Sequence, residues 1–459
     1  MVIGHLGTQT KRQSVGLLTP VSTGKLNGRF TNQYTAFQPD SKFQIPNSPG
    51  TRNFQPQSQP MVPGLRKKFN EAFTREKYEH FLQDLHSKFP GAIEFRVAET
   101  PEFIDKAFTQ KLLDACESII DVIVDPNFKK LTERSIPKGE NVPGENAISH
   151  MIAFDFGICI NEKLELEPQL IEMQGFPTLF GFQVYYPDVL RKHFSIPVNY
   201  TQYLGHYNRE TYIQDLKEVI VGNIPVENVI LLEIKPHEQK TRIDFYCTQE
   251  YIGIQPVCIT DLIQEGKKLF YINNNTQQKT EVKRIYNRII FDDLNAQKDS
   301  LGNFVDITQD LDVQWVPHPN WFYRISKFTL PYIKHPFVPA TYFLNEIKQI
   351  PSDLENYVLK PLFSFAGQGV VIDVSKKDIE QVKEPENWIL QRKVKYADVI
   401  ETPDIPAKCE IRMMYIWKDG EPRPKAAINL TRLSKGKMIG VRYNKDKEWV
   451  GGSVAFFEH

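Results

Sequence analysis

The chain has 459 residues, with 56 lysines and arginines against 56 aspartates and glutamates, which gives a formal net charge of zero. This balance argues against a nucleic-acid-binding protein, because such proteins usually carry a basic excess where they meet the phosphates. No apolar run approaches the ~18 residues that cross a bilayer, so no membrane span is predicted.

The cysteines indicate the compartment. They are Cys116, Cys159, Cys247, Cys258 and Cys409, an odd number without a CxxC pair or a Cys/His cluster at zinc spacing. Isolated core thiols in a reducing compartment explain this pattern best, and we therefore expect a cytoplasmic protein.

The first segment differs in charge from the rest. Residues 1–60 hold six basic residues and one acid, Asp40, which leaves the remainder at 50 minus 55, or −5. The segment is polar, rich in Pro and Gly, and lacks apolar periodicity, so residues 1–68 are predicted to be a disordered basic tail. A targeting peptide, an over-extended gene start before Met61 and a basic nucleic-acid arm are the alternatives.

The next segment, residues 69–225, contains helical and strand patterns. Residues 102–124 repeat apolar side chains at helical spacing, which predicts an amphipathic helix on a core. Residues 147–160 and 164–177 are strand-like and close together, and they predict a hairpin.

The remaining chain divides into two further parts. Residues 226–315 alternate short strands and helices, which predicts a small α/β substrate domain with a mainly parallel sheet. Residues 316–459 predict a helix near 321–333, a strand pair at 357–363 and 370–374, a strand at 388–394, and a hairpin that turns at Asp419-Gly420. The fold class is α/β (α+β).

A lysine and a glycine-containing loop are the most informative candidate site. Lys360 ends an apolar strand, where an ammonium can meet a phosphate as a point charge. Gly367 and Gly369 follow, and small residues let backbone N–H groups approach phosphate oxygens. Neither GxxxxGK[ST] nor GxGxxG is present, and taken alone the Gly-Gln-Gly sequence is more often an ordinary turn.

A second candidate is a set of oxygen ligands on the predicted hairpin. Asp155 interrupts an apolar run, and Glu172 and Gln174 stand two apart, so their side chains share one face of a strand. Magnesium prefers oxygen ligands and is seldom fully caged by protein. The alternative is a half-buried hairpin whose polar groups face solvent.

The third candidate is a group of basic residues, Lys327, Arg412, Arg432 and Lys435. Arg412 alternates with apolar neighbours on a strand, and arginine suits phosphates and carboxylates because its donors form a planar fork. For each of them taken alone, a surface ion pair is the more probable interpretation, so the argument for a site depends on their convergence with the other two candidates.

These three sets together resemble the ATP-grasp superfamily, and within it the circularly permuted branch of glutathionylspermidine synthetase and eukaryotic-type glutathione synthetase. In ordinary ATP-grasp enzymes the metal-binding hairpin follows the lysine and the Gly-rich loop. Here the corresponding segments around Asp155 and Glu172 come first. The likeness covers roughly residues 145–185 and 320–459, and more vaguely 226–295.

The resemblance implies a role for each matching residue, with bound ATP and Mg²⁺. Asp155, Glu172 and Gln174 are similar to the magnesium ligands, and Lys360 and Lys327 to nucleotide-binding lysines. The loop is matched by Gly367, Gln368 and Gly369, the adenine hinge by Gln391, Arg392 and Val394, and the closing Arg-rich segment by Arg432. Two positions depart from the pattern: Gln174 replaces an asparagine, and Ser364 stands where glutathione synthetase has a carboxylate.

The function that this resemblance implies is an ATP-dependent carboxylate–amine ligase that forms an amide through an acylphosphate. Lys360, Arg412 and Arg432 are the expected catalytic residues, and Asn287, Arg288, Asp292 and Asp293 are candidates for the substrate side. Partners would be small-molecule or peptide acids and amines, with no nucleic acid or membrane. An ATP-grasp phosphotransferase, an inactive ATP-binding protein and an α/β protein with a simple glycine turn are the alternatives.

Overall fold

Amphipathic segments form the helices that cover the sheets of this protein. The computed structural model describes residues 59–363, 369–436, 439 and 444–459. The α-helices of this part are α1 Pro63–Ala72, α2 Arg75–Ser87, α3 Lys106–Ile123, α4 Phe128–Leu131, α5 Phe182–His193, α6 Arg209–Val221, α7 Arg242–Ile252, α8 Phe291–Leu301, α9 Asn320–Arg324 and α10 Lys376–Glu380.

The strands form several separate sheets. They are β1 Glu102–Ile104, β2 Met151–Ile160, β3 Leu166–Gln174, β4 Tyr200–Thr201, β5 Val229–Glu233, β6 Gln255–Cys258, β7 Ile263–Glu265, β8 Lys268–Ile272, β9 Lys279–Val282, β10 Arg284–Asn287, β11 Gln314–Val316, β12 Thr341–Phe343, β13 Tyr357–Pro361, β14 Trp388–Arg392, β15 Lys408–Ile416, β16 Lys425–Ser434, β17 Gly451–Ser453 and β18 Ala455–Glu458. The mixed α/β class predicted from the sequence is confirmed.

A five-stranded antiparallel sheet joins distant parts of the chain, in the order β17-β16-β15-β2-β3. Both predicted hairpins are present in it, β2 with β3 and β15 with β16, and Gly420 has the positive φ of +84° expected in the second turn. Helix α3 covers one face, where Leu112 and Ile119 pack with Phe154 and other strand residues in one hydrophobic cluster. Asp105 caps this helix by accepting a hydrogen bond from the Phe108 N–H group.

A four-stranded parallel sheet forms the predicted small α/β part, in the order β11-β10-β5-β6. Its central strand β5 is buried along its whole length, as expected when both faces of a parallel sheet are covered. An antiparallel sheet of β7, β8 and β9 lies in the same stretch of chain. A further sheet of β12, β14 and β13 contains Lys360, and a third small sheet pairs β1, β18 and β4.

Two local predictions differ from the structure. The tail was expected to extend to residue 68, but helix α1 begins at Pro63, where the ring's fixed φ suits the first helical turn. The predicted strand at 370–374 makes only one β-bridge, between Leu359 and Val371, because the chain turns into α10 soon afterwards.

All five cysteines are free and buried. Within the described ranges, no helix is both long enough and apolar enough to span a membrane.

Candidate functional site

One face of the five-stranded sheet carries charged side chains. In β2 the alternation of a strand sends Phe154 and Phe156 into the core beneath α3, and it sends Asp155 to the opposite face. Across the sheet, Asp155 is directly opposite Glu172 of β3 on one side and Arg412 of β15 on the other. Strand pairing therefore aligns two acids and an arginine in one row across the sheet.

Asp155 is held by two arginines. It is only 2% exposed, and its Oδ1 accepts from Arg412 Nε. Its Oδ2 accepts from Arg412 Nη2 at 2.6 Å and from Arg432 Nη2 at 2.6 Å. Burial alone would raise the pKa of Asp155, but the two guanidinium groups outweigh it and hold that pKa below its ordinary value.

A second buried acid, Glu410, also binds Arg432. Its Oε2 lies 2.8 Å from Arg432 Nη2, and its Oε1 accepts from the Tyr396 hydroxyl. The Tyr396 ring fits against Gly157 of β2, where an added Cβ would lie 2.6 Å from Tyr396 Cε1. Glu410 was not among the predicted site residues, although its spacing of two from Arg412 on one strand places both on the same face.

Lys360 connects the β13–β14 sheet with the β2–β3 hairpin. Its Nζ donates to Gln391 Oε1 at 2.6 Å and to the carbonyl oxygen of Ile171 at 3.3 Å. Burial lowers the pKa of Lys360, and the charges of Glu172 and Glu410 partly oppose that shift. Gln391 is buried, and its Nε2 has no hydrogen-bond partner among the described residues. That donor fits a ligand with an acceptor group.

Lys327 belongs to the same electrostatic group. It opens a short 3₁₀ helix, Lys327–Tyr332, that is capped by Ser326 and follows α9, so the single helix predicted here is divided in two. The pKa of Lys327 is lowered to about 8, mainly by burial. The charge of Glu172 opposes this shift, and the charge of Lys360 adds to it. The charges of Glu172 and Lys360 thus both act on Lys327.

The residues expected to bind metal are not equivalent. Glu172 has a side chain that is 44% exposed and lies 4.0 Å from Arg412 Nη2. Gln174 shares its face and donates Nε2 to the Phe176 carbonyl at 3.5 Å, so its amide oxygen is the atom suited to a cation. These two residues fit a magnesium ion completed by phosphate oxygens and water, whereas the oxygens of Asp155 already bind two cationic groups. Among the described residues, no three His, Cys, Asp or Glu side chains are grouped to hold a metal ion.

The other expected nucleotide-binding residues are spread along the chain. Arg392 is exposed and bonds to Asp353 at 3.3 Å, away from its buried neighbour Gln391. Val394 follows β14, and Gly369 has a φ of +70° beside Pro361. Ser364, Gly367 and Gln368 lie outside the described residues.

The carboxyl end of the parallel sheet lies near the hairpin. Arg288 directly follows β10, is 8% exposed, and stacks its guanidinium over the ring of Phe176, two residues beyond Gln174. Its Nε and Nη1 have no hydrogen-bond partner in the part of the chain that the structure describes, and its nearest acid is the buried Asp244 at 3.9 Å. This is the edge of a parallel sheet where ligands commonly bind. Asn287 is also buried, whereas Asp292 and Asp293 are exposed at the start of α8.

A titratable acid at the same sheet edge gives the first testable prediction. Burial raises the pKa of Glu233, the last residue of β5, from 4.5 to about 8. The folded state therefore holds a proton that the unfolded state has lost, and stability from this group falls as pH rises from 4.5 to about 8. We expect Glu233→Gln to leave the unfolding free energy unchanged near pH 4.5 and to increase it above about pH 8.

Urea unfolding of both proteins across this range measures the difference. The exposed Glu238→Gln, five residues along the chain, is the control and should give parallel curves at all pH values. A Glu233→Gln variant that follows the wild-type protein at every pH would contradict the prediction.

The fold and the site together define a mixed α/β protein with lysines, arginines and acids converging beside a five-stranded sheet. No protein-family model matches the chain, and no curated protein matches it. Among solved structures it is similar to a glutathione synthetase-like effector from Globodera pallida in its apo form. The two share 10% sequence identity with a TM-score of 0.51, over 79% of this chain and 96% of that chain. This likeness is one of fold, and it agrees with the mixed α/β architecture described above.

Proposed function

We propose that the protein is an ATP-dependent carboxylate–amine ligase of the circularly permuted ATP-grasp type. The observation that carries the proposal is the convergence of Lys327 and Lys360 with Glu172, next to the Asp155–Arg412–Arg432 cluster. A cationic group for phosphates thus adjoins a guanidinium pair suited to a carboxylate. The fold similarity supports the same class.

The nucleotide half of the site is assigned to residues of two sheets. Glu172 and Gln174 would hold magnesium, which when bound neutralises phosphate charge. Lys360 and Lys327 would contact the phosphate oxygens and stabilise charge on the transferring phosphoryl group. Gln391, with its unpartnered Nε2, would donate to the nucleotide from β14.

The acid and the amine would react beside the arginines. Arg432 and Arg412 orient a substrate carboxylate so that its oxygen attacks the γ-phosphorus of ATP and ADP leaves, which gives an acylphosphate. The amine nitrogen then attacks the acyl carbon, the C–O bond to phosphate breaks, and an amide, phosphate and a proton are released. Positioning and electrostatics supply most of the catalysis in this scheme.

The direct test is a phosphate-release screen with ATP and magnesium against pools of amino acids, small peptides and polyamines. Release that requires both an acid and an amine is the expected result. ADP formation with a hydroxyl acceptor and no amide would replace this proposal by a phosphotransferase, and nucleotide binding without turnover of any pool would replace it by an ATP-binding protein.

Substitution of Glu172, the exposed acid of the β2–β3 hairpin, tests metal binding separately from folding. We expect Glu172→Gln to weaken the magnesium dependence of nucleotide binding by about tenfold or more, because a carboxylate ligand is lost from an exposed position. Calorimetric titration of ADP at a series of magnesium concentrations measures it. Glu167→Gln, on the same strand, is the matched control. Equal magnesium dependence in Glu172→Gln and the wild-type protein would remove Glu172 from the site.

A further inference from the structure

We propose that Asp155 is a positioning residue for Arg412 and Arg432 and not a metal ligand. With Glu410, it fixes two guanidinium groups as a receptor for an anionic group. That this anion is the carboxylate or acylphosphate of a ligase substrate rests on the proposed function, whereas the role of Asp155 does not.

The contacts of Asp155 leave a cation little opportunity to bind. Three N–H donors from Arg412 and Arg432 occupy about three of the roughly four acceptor positions of a carboxylate. A magnesium ion bound to Oδ2 would stand next to both guanidinium groups, and one bound to Oδ1 next to that of Arg412, which is unfavourable in a buried site. Glu172 is less restricted, since its side chain is 44% exposed and lies 4.0 Å from Arg412 Nη2, beyond hydrogen-bond distance.

Arg432 is fixed by two acids from two different strands. Its Nη2 lies 2.6 Å from Asp155 Oδ2 and 2.8 Å from Glu410 Oε2. Glu410 is fixed in turn by Tyr396. The Nε of Arg432 is buried and has no hydrogen-bond partner in the described ranges. A rigid guanidinium with an unfilled donor is the arrangement that recognises an anion.

Arg412 is fixed in a similar way. Asp155 accepts two hydrogen bonds from Arg412, one from Nε and one from Nη2, and Thr178 Oγ1 accepts a third from Nη1 at 3.2 Å. Its side chain is 11% exposed. Two arginines that would repel each other are therefore held together by the acid between them.

The metal arm of the test uses Mn²⁺ as a spectroscopic probe. Electron paramagnetic resonance would measure Mn²⁺ binding to the full chain with ADP, for wild-type protein, Asp155→Asn and Glu172→Gln. We expect Asp155→Asn to bind Mn²⁺·ADP like the wild-type protein, while Glu172→Gln loses about tenfold or more in affinity. A loss in Asp155→Asn as large as that in Glu172→Gln would overturn the proposal.

The arginine arm is independent of metal and nucleotide. Phenylglyoxal modifies accessible guanidinium groups, and peptide mass spectrometry reports each site separately. We expect Asp155→Asn to react several-fold faster than wild-type protein at both Arg412 and Arg432. Arg423, a surface arginine paired with Glu117 and Asp121, should react equally in both proteins. Unchanged rates at Arg412 and Arg432 would overturn the proposal.

A double variant covers the case in which Asp155→Asn does not fold. Asp155→Asn with Arg412→Gln removes one charge of each sign, so it should unfold at a higher temperature than Asp155→Asn alone and should still bind Mn²⁺·ADP. Loss of Mn²⁺ binding in that folded double variant would overturn the proposal. If wild-type protein binds no Mn²⁺·ADP, the proposed function fails, and the modification rates still decide the role of Asp155.

Discussion

Replacing Lys360 with methionine is expected to reduce nucleotide affinity by about 100-fold, because a charge-assisted hydrogen bond is worth about 1.5–3 kcal/mol. In the proposed site, Lys360 is the cation that joins the β13–β14 sheet to the β2–β3 hairpin, through Gln391 Oε1 and the Ile171 carbonyl. Methionine keeps the length of the apolar stem and removes the ammonium. Lys327 remains, so we expect weakened binding and not the loss of every cationic contact.

Titration calorimetry with ADP and magnesium measures the affinity, and the shift in melting temperature with ligand checks it independently. Lys418→Met is the matched control. Lys418 lies in the connection between β15 and β16 and bonds to Asp215 at 3.3 Å and to Glu218 at 2.8 Å, and it has no role in the proposed site. Equal ligand-induced shifts for Lys360→Met and the wild-type protein would show that nucleotide binds elsewhere or not at all.

Replacing Arg66 with methionine is expected to lower the free energy of unfolding by about 3–5 kcal/mol, the usual cost of leaving one member of a buried ion pair without its partner. Arg66 in α1 and Glu102 in β1 each have side chains that are 2% exposed, and their closest N···O distance is 2.8 Å. Arg66 also donates to the Pro101 carbonyl at 2.7 Å and to the Thr100 hydroxyl. The variant leaves all three acceptors without this donor.

The loss should depend on pH. Burial raises the pKa of Glu102 to about 7 even with Arg66 beside it, and removal of Arg66 raises that pKa further. Below about pH 7 the carboxyl group is protonated in the folded state of both proteins, so the charge-dependent part of the destabilisation should be small there and should grow as pH rises above about 7. Urea unfolding at several pH values measures this destabilisation. Arg423→Met, which removes exposed ion pairs, is the control and is expected to cost about 1 kcal/mol or less.

A small, pH-independent effect of Arg66→Met would mean that α1 contributes little to the fold. The expected result would instead establish that the folded unit begins before residue 69. It would also explain why composition was a poor guide there, since the basic residues at 66–68 look like a continuation of the polar tail although one of them is buried.

Local patterns predicted the local pairings of this fold. The closely spaced strand-like runs at 147–160 and 164–177 and the Asp419-Gly420 turn predicted hairpins, because neighbouring strands need only a short connection. The alternation of short strands and helices over residues 226–315 predicted a parallel sheet. The pairing of β2 with β15 was not predicted, since nothing in either strand identifies a partner so far along the chain.

The same limit applies to the candidate site. Asp155 was assigned to a metal because a lone acid in an apolar strand needs compensation, and the nearby Glu172 and Gln174 offered an explanation. The actual compensation comes from Arg412 and Arg432, which reach Asp155 only through the pairing of β2 with β15 and β16. Lys327 and Lys360 were singled out by residue type and position, and Gln391 through the family resemblance. Glu410 was missed, although the predicted β15–β16 hairpin places it opposite Arg432.

The distance along the chain between Asp155 and its arginines also affects how the protein is made. Arg412 is 257 positions after Asp155, and Arg432 is 277 positions after it. At a synthesis rate of about 5–20 residues per second, β2 would wait roughly 10–50 s for its neighbouring strand. During that time an almost wholly apolar strand has one unpaired edge, and edges of that kind attract other chains. Slower translation or limited chaperone capacity should therefore reduce the yield of soluble protein more than its final stability would suggest.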